Sequence, residues 1–241
     1  DVTVSVSRVG ANGTTTAVTD AVQSDVLTTA GNGTVVLRTT AGTVTLNDGT
    51  ASADGVSVAA HGSGNVLVQA QGASADVLVN ADVKSTSGHV SVRAGKDVTL
   101  AAQGEIKTGT TGTVDVEAAA GSVTLTGSSG LSSGSGAIRV QAGQDATISG
   151  VSTSGNVSVT ATAGSVLDAG DTSVDVVAAG LRLWAGTGVG TGANALETTV
   201  ATLSARATSG GVWLLESDAL TVGDVTVSVS RVGANGTTTA V

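Results

Sequence analysis

Five residue types are missing from this sequence: it contains no Pro, Cys, Met, Phe or Tyr, and its only aromatic residues are Trp184 and Trp213. Aromatic side chains each bury a large area, and they normally fill the core of a compact enzyme of this length. Without Cys the chain has no disulfide framework. Its apolar residues are Val, Ala, Leu and a few Ile, which suit a thin core lined by β-sheet. These absences favour a narrow, elongated β structure over a globular fold.

Basic residues are also scarce: 10 Lys and Arg against 19 Asp and Glu give a net charge of −9. Binding to nucleic acid or to an anionic membrane depends on clustered Lys and Arg, so the sequence predicts neither partner. No apolar run is long enough to span a bilayer, so no membrane span is predicted. With 40% hydrophobic and 12% charged residues, the composition is the opposite of that of a disordered chain. We therefore expect the chain to fold.

A long repeat is visible at once, because residues 1–18 and residues 224–241 are both DVTVSVSRVGANGTTTAV. The second copy begins at position 224, so one period of the repeat runs from position 1 to position 223. The sequence therefore predicts that residues 1–223 form one β-solenoid repeat unit and that residues 224–241 begin the next identical unit. Solenoid ends without caps expose unpaired strands. The expected partners are therefore neighbouring identical units, either in the same chain or in separate stacked chains.

A shorter period recurs inside the long unit. Strand-like segments such as GHVSVRA and GTVDVEA begin at evenly spaced glycines, namely Gly64, Gly88, Gly112 and Gly136. In each segment Val or Ile alternates with an outward residue, which predicts a strand buried on one side. A second alternating pair and a shorter apolar segment complete each cycle, as Val98/Leu100 and Ile106 do after Gly88. Cycles of this length bury their apolar side by stacking.

This pattern predicts an all-β fold, a parallel β-solenoid (β-helix) with three short strands per coil and about ten coils per unit. An antiparallel sandwich is the alternative, because it too contains many short alternating strands. The regular spacing of equivalent strands favours the solenoid. A helical repeat is excluded because β-branched residues alternate at period two and Gly interrupts the chain throughout.

Residues 121–166, GSVTLTGSSGLSSGSGAIRVQAGQDATISGVSTSGNVSVTATAGSV, resemble the coils of filamentous-haemagglutinin-type exoproteins. The long repeat resembles that of giant tandem-repeat surface proteins of bacteria. The resemblance extends over nearly all of the chain and rests on Gly-Val-Thr-Ala patterning. It implies a right-handed β-helix, export to the extracellular bacterial cell surface, and a role as an adhesin in cell–cell contact or biofilm formation.

No enzyme site can be assembled from the sequence, because no carboxylate pair recurs at one coil position beside Lys or Arg. We therefore expect no catalytic residue, and a function as a structural repeat of a long extracellular fibre or surface stalk. A glycan- or protein-binding adhesin module is the alternative, and a polysaccharide-active β-helix enzyme is a third hypothesis. Trp184 and Trp213 are predicted to point outward, with Arg182 beside Trp213 if their coils are neighbours. These three residues are the candidate surface contact. We expect them to pack within the chain or against another filament, in preference to binding a cell-surface glycan.

Asp residues precede the second strand of several coils, as Asp76 and Asp97 do. Adjacent coils would bring these two carboxylates together, and a bound Ca²⁺ could bridge them. The interpretation that we favour is that the Asp side chains accept hydrogen bonds from turn N–H groups. His61 and His89 have no His or Cys partner at ligand spacing. The sequence thus predicts no metal and no cofactor, with Ca²⁺ at Asp76 and Asp97 as the alternative.

Overall fold

The computed structural model describes residues 2–50, 53–170 and 172–241. Within these ranges the chain forms strands, turns and bends, and no helix long and apolar enough to cross a membrane is present. The strands, numbered in chain order, are β1 (Ser5–Val9), β2 (Thr15–Thr19), β3 (Val26–Leu27), β4 (Val35–Thr39), β5 (Val44–Leu46), β6 (Val56–Ala60), β7 (Val66–Ala70), β8 (Val77–Val79), β9 (Asp82–Ser85), β10 (Val90–Ala94), β11 (Val98–Leu100), β12 (Glu105–Thr108), β13 (Val114–Ala118), β14 (Val123–Leu125), β15 (Gly130–Ser132), β16 (Ile138–Ala142), β17 (Ala146–Ile148), β18 (Val151–Ser152), β19 (Asn156–Ala161), β20 (Val166–Asp168), β21 (Val176–Ala185), β22 (Leu196–Ala207), β23 (Leu214–Glu216), β24 (Thr221–Val222), β25 (Ser230–Val232) and β26 (Thr238–Ala240).

These strands stack in parallel into a β-solenoid with three faces, which confirms the predicted fold. The first face contains β4, β7, β10, β13, β16 and β19, and the second contains β5, β8, β11, β14, β17 and β20. The third face contains β3, β6, β9, β12, β15 and β18. The long strands β21 and β22 run from the third face onto the first, so the two faces belong to one 16-stranded sheet.

The solenoid has about 6 turns, where the sequence predicted about ten. The difference arises partly because the first copy of the eighteen-residue repeat, which lies within the unit, forms a hairpin and adds no coil. The first coil is also longer than those that follow, since the step from Gly33 to Gly64 exceeds the step from Gly64 to Gly88. The handedness of the coil stays a prediction.

The core is a set of ladders of identical or similar apolar residues in successive coils. Val90 lies in register with Val66 on one side and Val114 on the other, and Val114 lies in register with Ile138. All four side chains are 0% exposed. The predicted inward residues thus form the core, and stacking buries what a single coil would leave in water.

A ladder of glycines runs along the corner before the first face. A methyl group on Gly88 would overlap the carbonyl oxygen of Gly64, and one on Gly112 would overlap that of Gly88. Neither Gly88 nor Gly112 has a positive φ, so close approach between coils requires these glycines. The same carbonyl oxygens accept hydrogen bonds from hydroxyl groups: Thr108 Oγ1 donates to Gly88 at 2.6 Å, and Ser85 Oγ donates to Gly64 at 2.7 Å.

Both copies of the eighteen-residue repeat fold as antiparallel hairpins, β1 with β2 and β25 with β26. Their register is the same, because Ser7 pairs with Ala17 and Ser230 pairs with Ala240 at the offset of the repeat. Their turns also agree: Gly13 has φ 77° and its counterpart has φ 78°. The local sequence therefore determines the hairpin in both places, while the surroundings of the two copies differ.

Candidate functional site

The second copy of the repeat, which we call the C-terminal hairpin (residues 224–241), lies on the outer side of the first face. Asn156 Nδ2 donates a hydrogen bond to the Thr226 carbonyl at 3.0 Å, and Asn65 Nδ2 donates one to the Gly236 carbonyl at 3.0 Å. Asn156 belongs to β19 and Asn65 directly precedes β7. The hairpin thus runs back along the solenoid axis, across the strands between these two positions.

The outward side chains beneath the C-terminal hairpin form what we call the docking face. Its members share the outward position of their strands. Five of them lie in register from coil to coil, namely Leu67, Ser91, Asp115, Arg139 and Ser158. The sixth, Glu117, lies two residues after Asp115 on the same strand. Outward residues of a solenoid strand normally face water, yet Leu67, Ser91 and Asp115 are 1%, 0% and 0% exposed. Val229 and Val232 of the hairpin are 1% and 0% exposed. The hairpin and the docking face therefore bury each other.

Hydroxyl groups of the solenoid satisfy the free edge of the C-terminal hairpin. Ser230 N–H donates to Thr113 Oγ1 at 2.9 Å, and Val232 N–H donates to Ser91 Oγ at 2.9 Å. A two-stranded hairpin leaves such N–H groups unpaired on its outer edges. Hydroxyl groups of the solenoid thus accept hydrogen bonds from the outer N–H groups of β25, as the backbone of a third strand would do.

A buried ion cluster joins the hairpin to the docking face. Arg231 Nε lies 2.9 Å from Asp115 Oδ2, and its Nη2 also contacts Glu117. Arg139 from the next coil approaches Asp115 Oδ1 through Nη2 at 2.8 Å. Burial acts to lower the pKa of Arg231, but the charges of Asp115 and Glu117 outweigh it and raise that pKa. Asp115, which is 0% exposed, is thus paired with two guanidinium groups.

His89 lies beside this contact. Its Nδ1 accepts the Thr113 N–H at 3.1 Å and lies 3.0 Å from Thr113 Oγ1, the atom that also accepts the Ser230 N–H. Burial lowers the pKa of His89 and so favours the neutral ring. His89 is therefore a rung of the ladder that connects successive coils, with its Nδ1 engaged by Thr113.

Two residues of the predicted surface contact lie on β21. Leu181 and Leu183 are buried at 0% and 2% exposure, so Arg182 and Trp184 between and after them lie on the outer side. Arg182 Nη1 donates to Ser158 Oγ at 3.2 Å. Arg182 therefore borders the docking face at the end where β21 follows β19.

The structure does not bring the third residue, Trp213, next to Arg182. Trp213 N–H donates to the Val189 carbonyl at 2.8 Å, and the indole ring lies against Gly211. Arg182 instead pairs with Ser158 and Ser204. Residues 211–217 do not form a strand equivalent to residues 180–186, because the chain changes face after Trp213: Val212 bridges to Val189, whereas Leu214 pairs with Leu196 in β22. That ring is 44% exposed.

The carboxylates considered for Ca²⁺ have protein partners. Asp97 N–H donates to Asp76 Oδ1 at 3.1 Å, and Ser122 N–H donates to Asp97 Oδ1 at 2.8 Å. Lys96 Nζ lies 2.6 Å from Asp97 Oδ2 and 3.9 Å from Asp76 Oδ1. Burial acts to raise the pKa of Asp97, but Lys96 and the Ser122 N–H outweigh it and lower that pKa. These contacts connect successive turns and supply a cation of the protein's own.

Two other groups of carboxylates converge closely enough to hold a metal ion: Asp25, Asp48 and Asp54, and Asp168, Asp175 and Glu197. In the first group, Asp48 Oδ2 accepts the Gly55 N–H at 3.1 Å and Asp54 Oδ1 accepts the Val56 N–H at 3.0 Å. Asp54 is exposed. The second group is largely buried.

Reasoning from the sequence missed the residues of the docking face, as well as Arg231. One signal was available: Asp115 and Arg139 take the same outward position of successive strands and have opposite charges. Cross-strand pairs of opposite charge stabilise a sheet. The burial of Asp115, however, depends on the hairpin that covers it, and no short-range pattern reports that contact.

No protein-family model, no curated protein and no solved structure matches this chain. The chain is therefore classified by its own architecture, as a parallel β-solenoid protein. More particularly, it is a β-solenoid in which one copy of a repeated hairpin covers the first face. A function must be argued from these features.

Proposed function

We propose that the chain is a structural, non-catalytic repeat of a long extracellular fibre or surface stalk. The observation that carries this proposal is that residues 1–18 recur at 224–241, with the second copy seated on the docking face. In this proposal residues 1–223 are one unit and residues 224–241 begin the next. The docked hairpin then joins consecutive units and sets their relative position.

The architecture supports a role in which length is the useful property. Each coil advances roughly 4.8 Å along the axis, so the six stacked strands of the second face span on the order of 25 Å. Parallel hydrogen bonding runs through all of these coils without interruption, which makes a unit stiff. The resemblance of residues 121–166 to haemagglutinin-type coils supports the proposed place at a bacterial surface, in adhesion, biofilm formation or cell–cell contact.

The test compares polypeptides in which residues 1–223 occur once, twice and three times in tandem, by negative-stain electron microscopy. We expect thin particles whose length grows by a constant increment with each added unit, because each hairpin fixes the next unit in the same pose. Compact particles whose longest dimension does not grow with the number of units would contradict the proposal.

A binding module is the second candidate, and the exposed ring of Trp213 is the observation that favours it. Its indole lies against the backbone at Gly211 and is 44% exposed, as in an aromatic platform for a sugar or an apolar side chain. Trp184 lies on the outer side of β21, part of the first face. Intact thin particles that lose binding to cell-surface glycans when both Trp residues become Ala would favour this function.

A further inference from the structure

The first copy of the repeat contains the same hairpin, formed by β1 and β2, without a docking face; we call it the N-terminal hairpin. Val6 and Val9 are 56% and 66% exposed, whereas their counterparts Val229 and Val232 are 1% and 0% exposed. Arg8 is exposed, whereas Arg231 is half-buried in the ion cluster. One sequence therefore occurs in this molecule in a docked and an undocked state.

The edge of the N-terminal hairpin that corresponds to the docked edge is also open. The N–H groups of Ser7 and Val9 correspond to those that donate to Thr113 and Ser91 in the docked copy. Among residues 2–50, 53–170 and 172–241, no side chain accepts a hydrogen bond from either of them. A two-stranded hairpin with an exposed apolar face is marginally stable by itself and exposes an edge for pairing.

We propose that the N-terminal hairpin docks on the docking face of a second copy of this chain, in the pose that the C-terminal hairpin takes on its own chain. Val6 and Val9 would be buried there, and Arg8 would pair with the second copy's Asp115 and Glu117. Complementarity is already demonstrated, because the same eighteen residues occupy that face within one chain. This inference deepens the proposed function by naming the partner of the N-terminal hairpin.

Tethering decides which copy of the hairpin occupies the face. The C-terminal hairpin is attached to the solenoid that it covers, so its effective concentration exceeds that of any hairpin from solution. The N-terminal hairpin of one copy therefore binds the docking face of another copy only when that copy's own C-terminal hairpin has left the face. Hairpin and face are different surfaces, so the contact is heterologous and propagates head to tail into chains or rings.

The test uses the full chain in three forms, compared by analytical ultracentrifugation over a wide concentration range. The parent chain is expected to be monomeric. Arg231→Glu with Val232→Asp should expel the C-terminal hairpin and produce head-to-tail oligomers that grow with concentration. Adding Arg8→Glu and Val9→Asp, the same two changes in the N-terminal copy, should return the chain to a monomer. Circular dichroism checks that every form retains its β-solenoid.

Disulfide trapping supplies an independent readout, because the chain has no Cys of its own. Val232 N–H and Ser91 Oγ are 2.9 Å apart, so Val232→Cys with Ser91→Cys should form a bond within one chain. Val9→Cys with Ser91→Cys, in the variant with the expelled hairpin, should form bonds between chains. Monomers throughout with no bond between chains, or oligomers that survive the changes at Arg8 and Val9, would overturn the inference. Tandem units that still form rods would then leave the proposed function standing.

A second observation, independent of the hairpins, concerns the carboxylates of Asp168, Asp175 and Glu197 at a corner of the solenoid. Asp168 ends β20, Asp175 directly precedes β21, and Glu197 lies one coil later in β22. One carboxylate oxygen from each residue lies within 4.8 Å of the others. Oxygens that share one Ca²⁺ at roughly 2.4 Å each lie at most about 4.8 Å apart, so this spacing fits a single ion.

The corner contains buried acceptors without donors. Asp168 is 7% exposed, and its Oδ2, like Glu197 Oε2, is buried and accepts no hydrogen bond. Within the described ranges neither Asp168 nor Glu197 forms an ion pair. The other oxygen of Asp168 accepts the Gly170 N–H at 3.0 Å, which holds the carboxylate in position. Within the cluster, Glu197 N–H donates to Asp175 Oδ2 at 3.0 Å. Buried carboxylates this close together repel each other unless they are protonated, hydrogen-bonded or bridged by a cation, and a cation would also supply partners for the acceptors that lack donors.

We propose that this corner binds a divalent cation, with Ca²⁺ preferred because the donors are all oxygen and are irregularly placed. In the metal-free full chain, adding CaCl₂ is expected to release or absorb heat with one-site stoichiometry and to raise the melting temperature by several degrees. Asp168→Asn should abolish both responses. Asp54→Asn, in the more exposed acidic group, is the matched control and should leave them unchanged. No heat and an unchanged melting temperature, or a response that Asp168→Asn leaves intact, would overturn this proposal.

Discussion

Replacing Gly112 with Ala is expected to lower the free energy of unfolding by about 1–3 kcal/mol, as overpacking in a close-packed interior does. The added methyl group would overlap the Gly88 carbonyl oxygen and the Thr108 hydroxyl. Neither atom can move away freely, because the two are hydrogen-bonded to each other: Thr108 Oγ1 donates to the Gly88 oxygen at 2.6 Å. The coils must therefore separate or lose this hydrogen bond. Chemical denaturation, followed by circular dichroism, measures the change.

Gly150→Ala is the matched control for this prediction. The nearest atom to a methyl group at Gly150 is the Ser129 carbonyl oxygen at 3.4 Å, which is ordinary van der Waals contact. Gly150 has no positive φ, so Ala can adopt its backbone conformation. We expect an unchanged or slightly higher stability there, since Ala restricts the unfolded chain. An equal decrease in the free energy of unfolding for Gly112→Ala and Gly150→Ala would show that the close approach of coils does not explain why position 112 requires Gly.

The register of the coils could be predicted from the sequence because local patterns alone determine it. Segments that alternate at period two and recur at a constant interval can stack in one way only, with Val90 between Val66 and Val114. A shift by one residue would turn every Val outward. The regular spacing of the glycines is visible in the sequence. The reason that Gly is required at these positions is a close contact between coils, and the sequence pattern does not report that contact.

The docking face could not be predicted, because the difference between the two hairpins is purely tertiary. Arg8 and Arg231 have identical neighbours for many residues on each side, so no local rule distinguishes them. Asp115 stands at an outward position, where a charged residue is ordinary. Only the path of residues 224–241 over the first face converts it into a buried carboxylate. The number of coils per unit was overestimated in part because the first hairpin lies within residues 1–223 and adds no coil.

Arg231→Ala is expected to destabilise the docked hairpin by about 3 kcal/mol, because one partner of a buried ion pair is removed. Asp115 would keep Arg139 at 2.8 Å but lose the Arg231 guanidinium at 2.9 Å, while it stays 0% exposed as long as the hairpin remains in place. The hairpin can leave the face and let water reach the carboxylate. The loss should therefore appear as roughly a hundredfold faster hydrogen exchange at the Ser230 and Val232 amides.

The matched substitution Arg8→Ala changes the same residue in the same hairpin sequence. Because Arg8 is exposed, it should alter the stability of the dilute, monomeric chain by no more than about 0.5 kcal/mol. A double-mutant cycle with Asp115→Asn isolates the contact itself: Asp115 and Arg231 should be coupled, and Asp115 and Arg8 should not. Equal effects of the two Arg substitutions in the monomer would mean that the hairpin acts through the unfolded chain and not through the docking face. The repeat places both experiments in one molecule, so sequence context cannot account for any difference between them.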